Sequence, residues 1–263
     1  MLYKRVLSAV AGIPVFLLAV WYGDWAHFAL TLLIMTFALH ELNKIFGKMN
    51  LNTSFPVMLA GLLILASSAL GGGHEAFGMA IMPVVGLLLL SGVFRYPAIV
   101  PGDVAAGLAG TLYIALLIFF YLIRTLDGGL TWILILLSGT WAGDTVAYFV
   151  GKKLGRIKLA PLLSPGKTLE GALGGIMGST LGAVLVYTLY PYPGVMYKVI
   201  ALGFLVGIFG ILGDLFESSL KRSAGVKDTG FVIPGHGGVL DRFDSMLFTA
   251  PVVYYFVILF ING

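Results

Sequence analysis

Residues 198–262 read KVIALGFLVGIFGILGDLFESSLKRSAGVKDTGFVIPGHGGVLDRFDSMLFTAPVVYYFVILFIN. Two apolar runs, 198–216 and 245–262, flank a loop, 217–244, that is dense in charge, glycine and hydroxyl groups. About 20 apolar residues cross the hydrocarbon core of a bilayer as a helix. Both runs are therefore expected to lie in lipid, with the loop between them at water. A membrane chain that gathers carboxylates, cations and a Gly-His-Gly-Gly turn in one loop is expected to do its chemistry there, on a polyanion.

The rest of the chain repeats that pattern. Hydrophobic residues make up 59% of it and charged residues 11%, with a mean hydropathy of +1.00; soluble domains carry about a quarter charged residues. Cysteine is absent, which excludes disulfides, thiolate nucleophiles and zinc–thiolate sites. The net charge of +4 sits in short loops between apolar runs, so it points to membrane topology and not to nucleic acid. The opening MLYKRVLSAVAGIPVFLLAV has the outline of a signal peptide, with Lys4 and Arg5 before an apolar run. Further apolar runs follow at once, so it is read as an uncleaved first helix.

The expected fold is all-α and polytopic, with about nine transmembrane helices at roughly 6–22, 26–40, 55–71, 77–93, 104–123, 130–150, 170–190, 198–216 and 245–262. With the N-terminus cytoplasmic, 14 of the 16 lysines and arginines fall inside and only Arg124 and Lys198 outside, as the positive-inside rule requires. The loops 151–169 and 217–244 then share the cytoplasmic face. Seven of the twelve acids (Asp144, Glu170, Asp214, Glu217, Asp228, Asp241 and Asp244) lie in the C-terminal half. Residues 1–130 are read as scaffold or lipid-handling surface and 131–263 as the catalytic region, with no linker to separate independent folding domains. In the seventh segment Gly174, Gly178 and Gly182, and Gly171, Gly175 and Ser179, recur every four residues; Gly203 and Gly207 do so in the eighth. Such stripes let helix backbones approach closely and would bring the ends that carry Asp144, Glu170 and Asp214 together.

Asp214 and Glu217 are three residues apart, on one helix face, and Asp241 and Asp244 repeat the spacing. An ionised carboxylate in apolar sequence is costly unless it is paired or binds a cation. One reading makes Asp241 and Asp244 capping acids of the last helix. The functional reading has Asp214 and Asp241 share a cation from two helices; a few carboxylates with positions left open for water and phosphate suit Mg²⁺. Lys221, Arg222, Lys227 and Arg242 alternate with the acids. Alone they could be a solvated charge run; beside a metal-binding carboxylate set they form a polyphosphate site. The turn Pro234-Gly235-His236-Gly237-Gly238 favours the second reading, because consecutive N–H groups there can cradle an anion and His236 can donate to it.

The loop Ser164-Pro165-Gly166-Lys167-Thr168 is not a Walker A motif, since Pro161 stands where the first glycine is needed. It is read as the N-terminus of the seventh helix, either an ordinary cap or a phosphate-binding end, with Ser164, Lys167 and Thr168 as ligands. Asp144, an acid near the end of an apolar helix, is a candidate metal or nucleotide ligand. His27, His40 and His74 show no ligand spacing and are assigned no role.

The run from Ser218 through Leu220-Lys221-Arg222, Lys227-Asp228, Gly230, Ile233-Pro234 and His236-Gly237-Gly238-Val239 to Asp241-Arg242-Phe243-Asp244 resembles the complete signature of the phosphatidate cytidylyltransferases, or CDP-diglyceride synthases. The segments SPGKTLEG and GDTVAYFVGKKLG are similar to that family too, and the likeness is concentrated in 140–245. The resemblance implies the Mg²⁺-dependent reaction of CTP with phosphatidate to give CDP-diacylglycerol and pyrophosphate, a step of phospholipid biosynthesis, by a homodimer in the cell (inner) membrane with its active site at the cytoplasmic face. Asp214 and Asp241 then hold Mg²⁺, with Asp144, Asp244 and Glu170 as further ligands; a second cation, divalent or K⁺, is left open. Lys167, Lys221, Arg222, Lys227 and Arg242 neutralise phosphates, and the turn with Gly237 and Gly238 orients one of them. Two alternatives remain: a CTP-dependent kinase of polyprenol or phytol, with His236 or Asp244 as base, and a cation-coupled transporter. Against the transporter, no inverted repeat is visible and the charges gather on one face.

Overall fold

A computed structural model describes residues 2–192, 196–230 and 237–262, the side chains of 2–11 excepted. The chain is mostly helical and divides into two compact units that interleave in sequence: Met1–Leu122 with Leu220–Phe243, and Ile123–Ser219 with Asp244–Gly263. The loop 220–243, grouped from sequence with the C-terminal half, thus packs with the first unit.

The first unit contains α1 (Leu2–Tyr22), α2 (Asp24–Lys48), α3 (Phe55–Phe94), α4 (Pro101–Ala115) and most of α5 (Ile118–Thr125). Its core is aliphatic, with Met35, Leu39, Leu42, Met58, Leu62, Leu65 and Ile114 fully buried. The 40 residues of α3 do not run straight. Gly73, at φ 63°, and Gly72 break the helix, and only glycine adopts the positive value at little cost. Gly61 and Val84 would be about 34 Å apart along a straight helix. Instead a Cβ on Gly61 would lie 3.0 Å from Val84 Cγ1, so the two arms of α3 lie side by side.

The second unit is built from α6 (Gly129–Leu154), a two-stranded hairpin of β1 (Lys158–Ala160) and β2 (Ser164–Thr168), α7 (Leu169–Leu189), α8 (Met196–Ser223, up to Ser219) and α9 (Leu240–Phe256, from Asp244). The glycine stripes of α7 do what their spacing predicts. A Cβ on Gly178 would sit 2.8 Å from the Ala142 carbonyl oxygen of α6, and one on Gly207 of α8 2.7 Å from Ile176 Cα of α7. Helices this close exchange side-chain hydrogen bonds with backbone: Ser179 Oγ donates to the Gly139 carbonyl (2.8 Å) and Ser138 Oγ to that of Gly182 (3.1 Å). On its other face α7 exposes Leu173, Met177, Leu181, Leu185 and Leu189, again every fourth residue. At the far end, Tyr192 donates to Asp127 (2.8 Å), which raises the phenol's pKa above its ordinary value.

Seven helices among the described residues are long and apolar enough to cross a membrane; with their exposed apolar stripes they make this a multi-pass membrane protein. The nine segments expected from sequence are not recovered by that measure, for two reasons. Segments 55–71 and 77–93 fall within α3, and the described part of the first helix, Gly12–Tyr22, is short. The hairpin also departs from the all-α expectation, as does the start of α7. Ser164-Pro165-Gly166 lie in β2 and do not open the helix. Its cap is Thr168, whose Oγ1 accepts the N–H of Gly171 (3.1 Å).

Candidate active site

In the second unit, α8 and α9 meet at the level of Gly213, where a Cβ would be 2.6 Å from the Asp244 carbonyl oxygen. A side chain there would force the helices apart. Their contact turns Asp214 and Glu217, one turn apart on α8, toward Asp244 of α9, and one carboxylate oxygen from each lies within 4.8 Å of the others. At an effective dielectric near 20, each like-charged pair at that distance costs about 3–4 kcal/mol. The group is stable when positive charge is close. Lys167, carried by β2, supplies one such charge through an ion pair with Asp214, and Ser218 Oγ donates to the same carboxylate (3.4 Å). Three hard oxygen donors around one point fit a divalent ion such as Mg²⁺. A cavity of about 590 Å³ opens beside Asp214, lined also by Asp144, Tyr148, Lys152, Gly166, Lys167 and Thr168. Acids, lysines, a hydroxyl and an aromatic ring around one hollow suit a charged ligand with a planar part.

In the first unit, the chain leaves α8 after Ser223 and turns at Gly225, in the left-handed region at φ 66°, with the N–H of Val226 returning to the Lys221 carbonyl (2.9 Å). Lys221 stays on the last helical turn and pairs with Asp241 Oδ1 at 2.8 Å. Asp241 Oδ2 accepts three more hydrogen bonds: from the N–H of Thr229 (2.9 Å), the Oγ1 hydroxyl of Thr229 (2.9 Å) and the N–H of Gly238 (2.8 Å). Four donors surround one carboxylate that is 8% exposed. The last of these bonds gives Asp241 a share of the capping role weighed from sequence. Arg222, Lys227 and Arg242 are exposed.

The predicted site residues thus fall into two groups. Asp214 and Asp244 come together with Glu217 and with Lys167; Asp144 and Thr168 line the adjoining cavity. Asp241 joins Lys221, Gly238 and, through a Cβ position 3.0 Å away, Gly237. The expected sharing of one ion by Asp214 and Asp241 links residues that belong to different units. Glu170 is engaged elsewhere: it accepts the N–H groups of Arg156 (3.0 Å) and Ile157 (3.2 Å) and ties the segment before the hairpin to the start of α7. Ser164 is a strand residue. His236, with Gly235, lies outside the described residues.

Two residues went unassigned in the sequence. Glu217 sits on the face of Asp214 and completes the acid group. Glu41, in α2, is buried against the 229–240 loop and accepts hydrogen bonds from Thr229, Val239 and Leu240. Its signal was legible: a lone acid in apolar helix sequence, the rule that singled out Asp144.

The family model described as the cytidylyltransferase family matches residues 3–260. A protein of Bacillus subtilis named phosphatidate cytidylyltransferase is 37% identical over 98% of this chain and 98% of its own length. One of the same name from Synechocystis is 35% identical over 97% of this chain and 96% of its own. A third, from Thermotoga maritima, is 37% identical over 67% of each. With a family pattern that spans nearly its whole length and relatives that align end to end, this chain belongs to the cytidylyltransferase family.

Proposed function

We propose that the chain is a phosphatidate cytidylyltransferase: it transfers the cytidylyl group of CTP to phosphatidate and releases pyrophosphate, in the service of phospholipid synthesis. The observation that carries this reading is the meeting of Asp214, Glu217 and Asp244 with Lys167 beside a cavity of nucleotide size. A phosphate oxygen of phosphatidate forms the new bond to the α-phosphorus of CTP while the bond from that phosphorus to the bridging oxygen of pyrophosphate breaks. A phosphomonoester has its second pKa near 6, so the nucleophile is already ionised at neutral pH and no general base is required. The task is to hold two polyanions together, which calls for positioning and charge neutralisation.

Asp214, Glu217 and Asp244 would hold Mg²⁺, which when bound lowers the charge on the phosphates. Lys167 neutralises phosphate oxygens from the hairpin. Lys221, Arg222, Lys227 and Arg242 serve the same end, with Asp241 fixing the ammonium of Lys221. Asp144 and Thr168 bind the nucleotide from the cavity wall. The lipid tails stay in the bilayer and the headgroup enters from the cytoplasmic leaflet of the cell membrane, the side on which the positive-inside count puts loops 151–169 and 217–244. The working form is a homodimer.

The decisive experiment measures pyrophosphate release from CTP by purified protein, with and without phosphatidate and with and without a chelator. Release that needs both the lipid and the divalent ion supports the reading. Label from the α-phosphorus of CTP must appear in the lipid; label from the γ-phosphorus alone would identify a lipid kinase instead.

A further inference from the structure

Glu41 has no part in the chemistry just described, yet it is 1% exposed and ringed by donors from a loop some 190 residues away in sequence. Its Oε1 accepts the N–H of Val239 (2.9 Å) and its Oε2 that of Leu240 (2.8 Å), the first amides of α9. Amides at a helix start carry unsatisfied donors and the positive end of the dipole, so a carboxylate is the group they hold best. The same Oε2 lies 3.0 Å from Thr229 Oγ1, whose single hydroxyl hydrogen is shared with Asp241 Oδ2 at 2.9 Å. The loop is shaped around this one side chain. A Cβ on Gly230 would be 2.5 Å from Glu41 Oε1, and one on Gly238 would be 2.4 Å from Oε2 and 2.1 Å from Thr229 Oγ1. A buried carboxylate is tolerated only when its hydrogen bonds are made, and here both oxygens have them.

We propose that Glu41 is a positioning residue for the phosphate-handling loop: it clamps residues 229–230 and 238–240 and, through the Thr229 hydroxyl, fixes Asp241 and so the Lys221 ammonium. The proposal rests on the cytidylyltransferase reading for its effect on turnover, but not for the clamp itself. Residues 1–130 then contribute more than a scaffold, since a helix of that region sets the conformation of the signature loop.

The test compares Glu41→Gln with wild type in the full-length protein. Glutamine keeps the volume but can accept at only one terminal atom, so one donor loses its partner. Amide hydrogen exchange in peptides over 226–230 and 237–243 is expected to quicken about tenfold or more, with α6 and α7 unchanged. KM for CTP is expected to rise about tenfold; a smaller fraction of folded protein would lower kcat and leave KM alone. Thr229→Val should reproduce both changes, and Thr229→Ser should recover most of the loss; this pair decides the matter if Glu41→Gln does not fold. Wild-type exchange in these peptides, or quickened exchange throughout the protein with KM unmoved, overturns the proposal. A wild-type protein inactive on CTP and phosphatidate overturns the functional reading instead, and the exchange data still judge the clamp.

Discussion

Two sets of carboxylates in this protein accommodate closely held negative charge in opposite ways. In the first unit Asp241 is met by four donors at 2.8–2.9 Å, and Glu41 by two more besides the Thr229 hydroxyl that the two acids share. In the second unit one carboxylate oxygen from each of Asp214, Glu217 and Asp244 lies within 4.8 Å of the others, and Lys167 pairs with Asp214. Donors aimed at a single acid hold a loop in shape. Acids aimed at one another create a demand for a cation. On the proposed reading the first arrangement positions, and the second gathers Mg²⁺ and triphosphate.

The largest expected effect separates the two sets. Asp214→Asn keeps the shape and removes one of three converging charges; turnover should fall about 10³-fold while size exclusion and circular dichroism show a folded protein. Activity within tenfold of wild type would remove the acid group from the site. Asp241→Asn should cost about 100-fold, with the Mg²⁺ concentration for half-maximal rate unchanged. A shift in that concentration matching Asp214→Asn would break the contrast and restore the idea that the two aspartates share an ion. Gly178→Leu attacks the packing that assembles the second unit. With its Cβ directed at the Ala142 carbonyl oxygen 2.8 Å away, it should lose about 1–3 kcal/mol, read as a lower melting midpoint in detergent. Lys227→Ala, at an exposed position, should raise KM for CTP or phosphatidate about tenfold without loss of expression; unchanged kinetics would take Lys227 out of the site. Smallest of all, Glu170→Gln should stay within about threefold of wild type, because that carboxylate serves the backbone of Arg156 and Ile157. A large drop there would return Glu170 to the metal set.

Much of this was legible in one dimension. Apolar runs announced the membrane, the spacing of Gly174, Gly178 and Gly182 announced the close approach of α6 and α7, and Asp214 and Asp244 were marked by their chemistry. What failed was local geometry and long-range pairing. The Ser-Pro-Gly run reads as a helix start by composition, but pairing between Lys158 and Thr168 draws it into a strand. Segments 55–71 and 77–93, by contrast, were legible as separate runs, and they are the two arms into which Gly72 and Gly73 divide α3.

The order of the side chains alone determined that this chain lives in lipid and that its charges concentrate in the loops 151–169 and 217–244, because hydropathy and charge are properties of short stretches. Only the tertiary structure decided which acids face one another. Glu217 joined the cluster because Gly213 allows α9 against α8, and Glu41 reached Thr229 across 188 residues of chain. Distance along the sequence carries no record of such meetings; they depend on how closely backbones can pack and on which buried donors still require an acceptor.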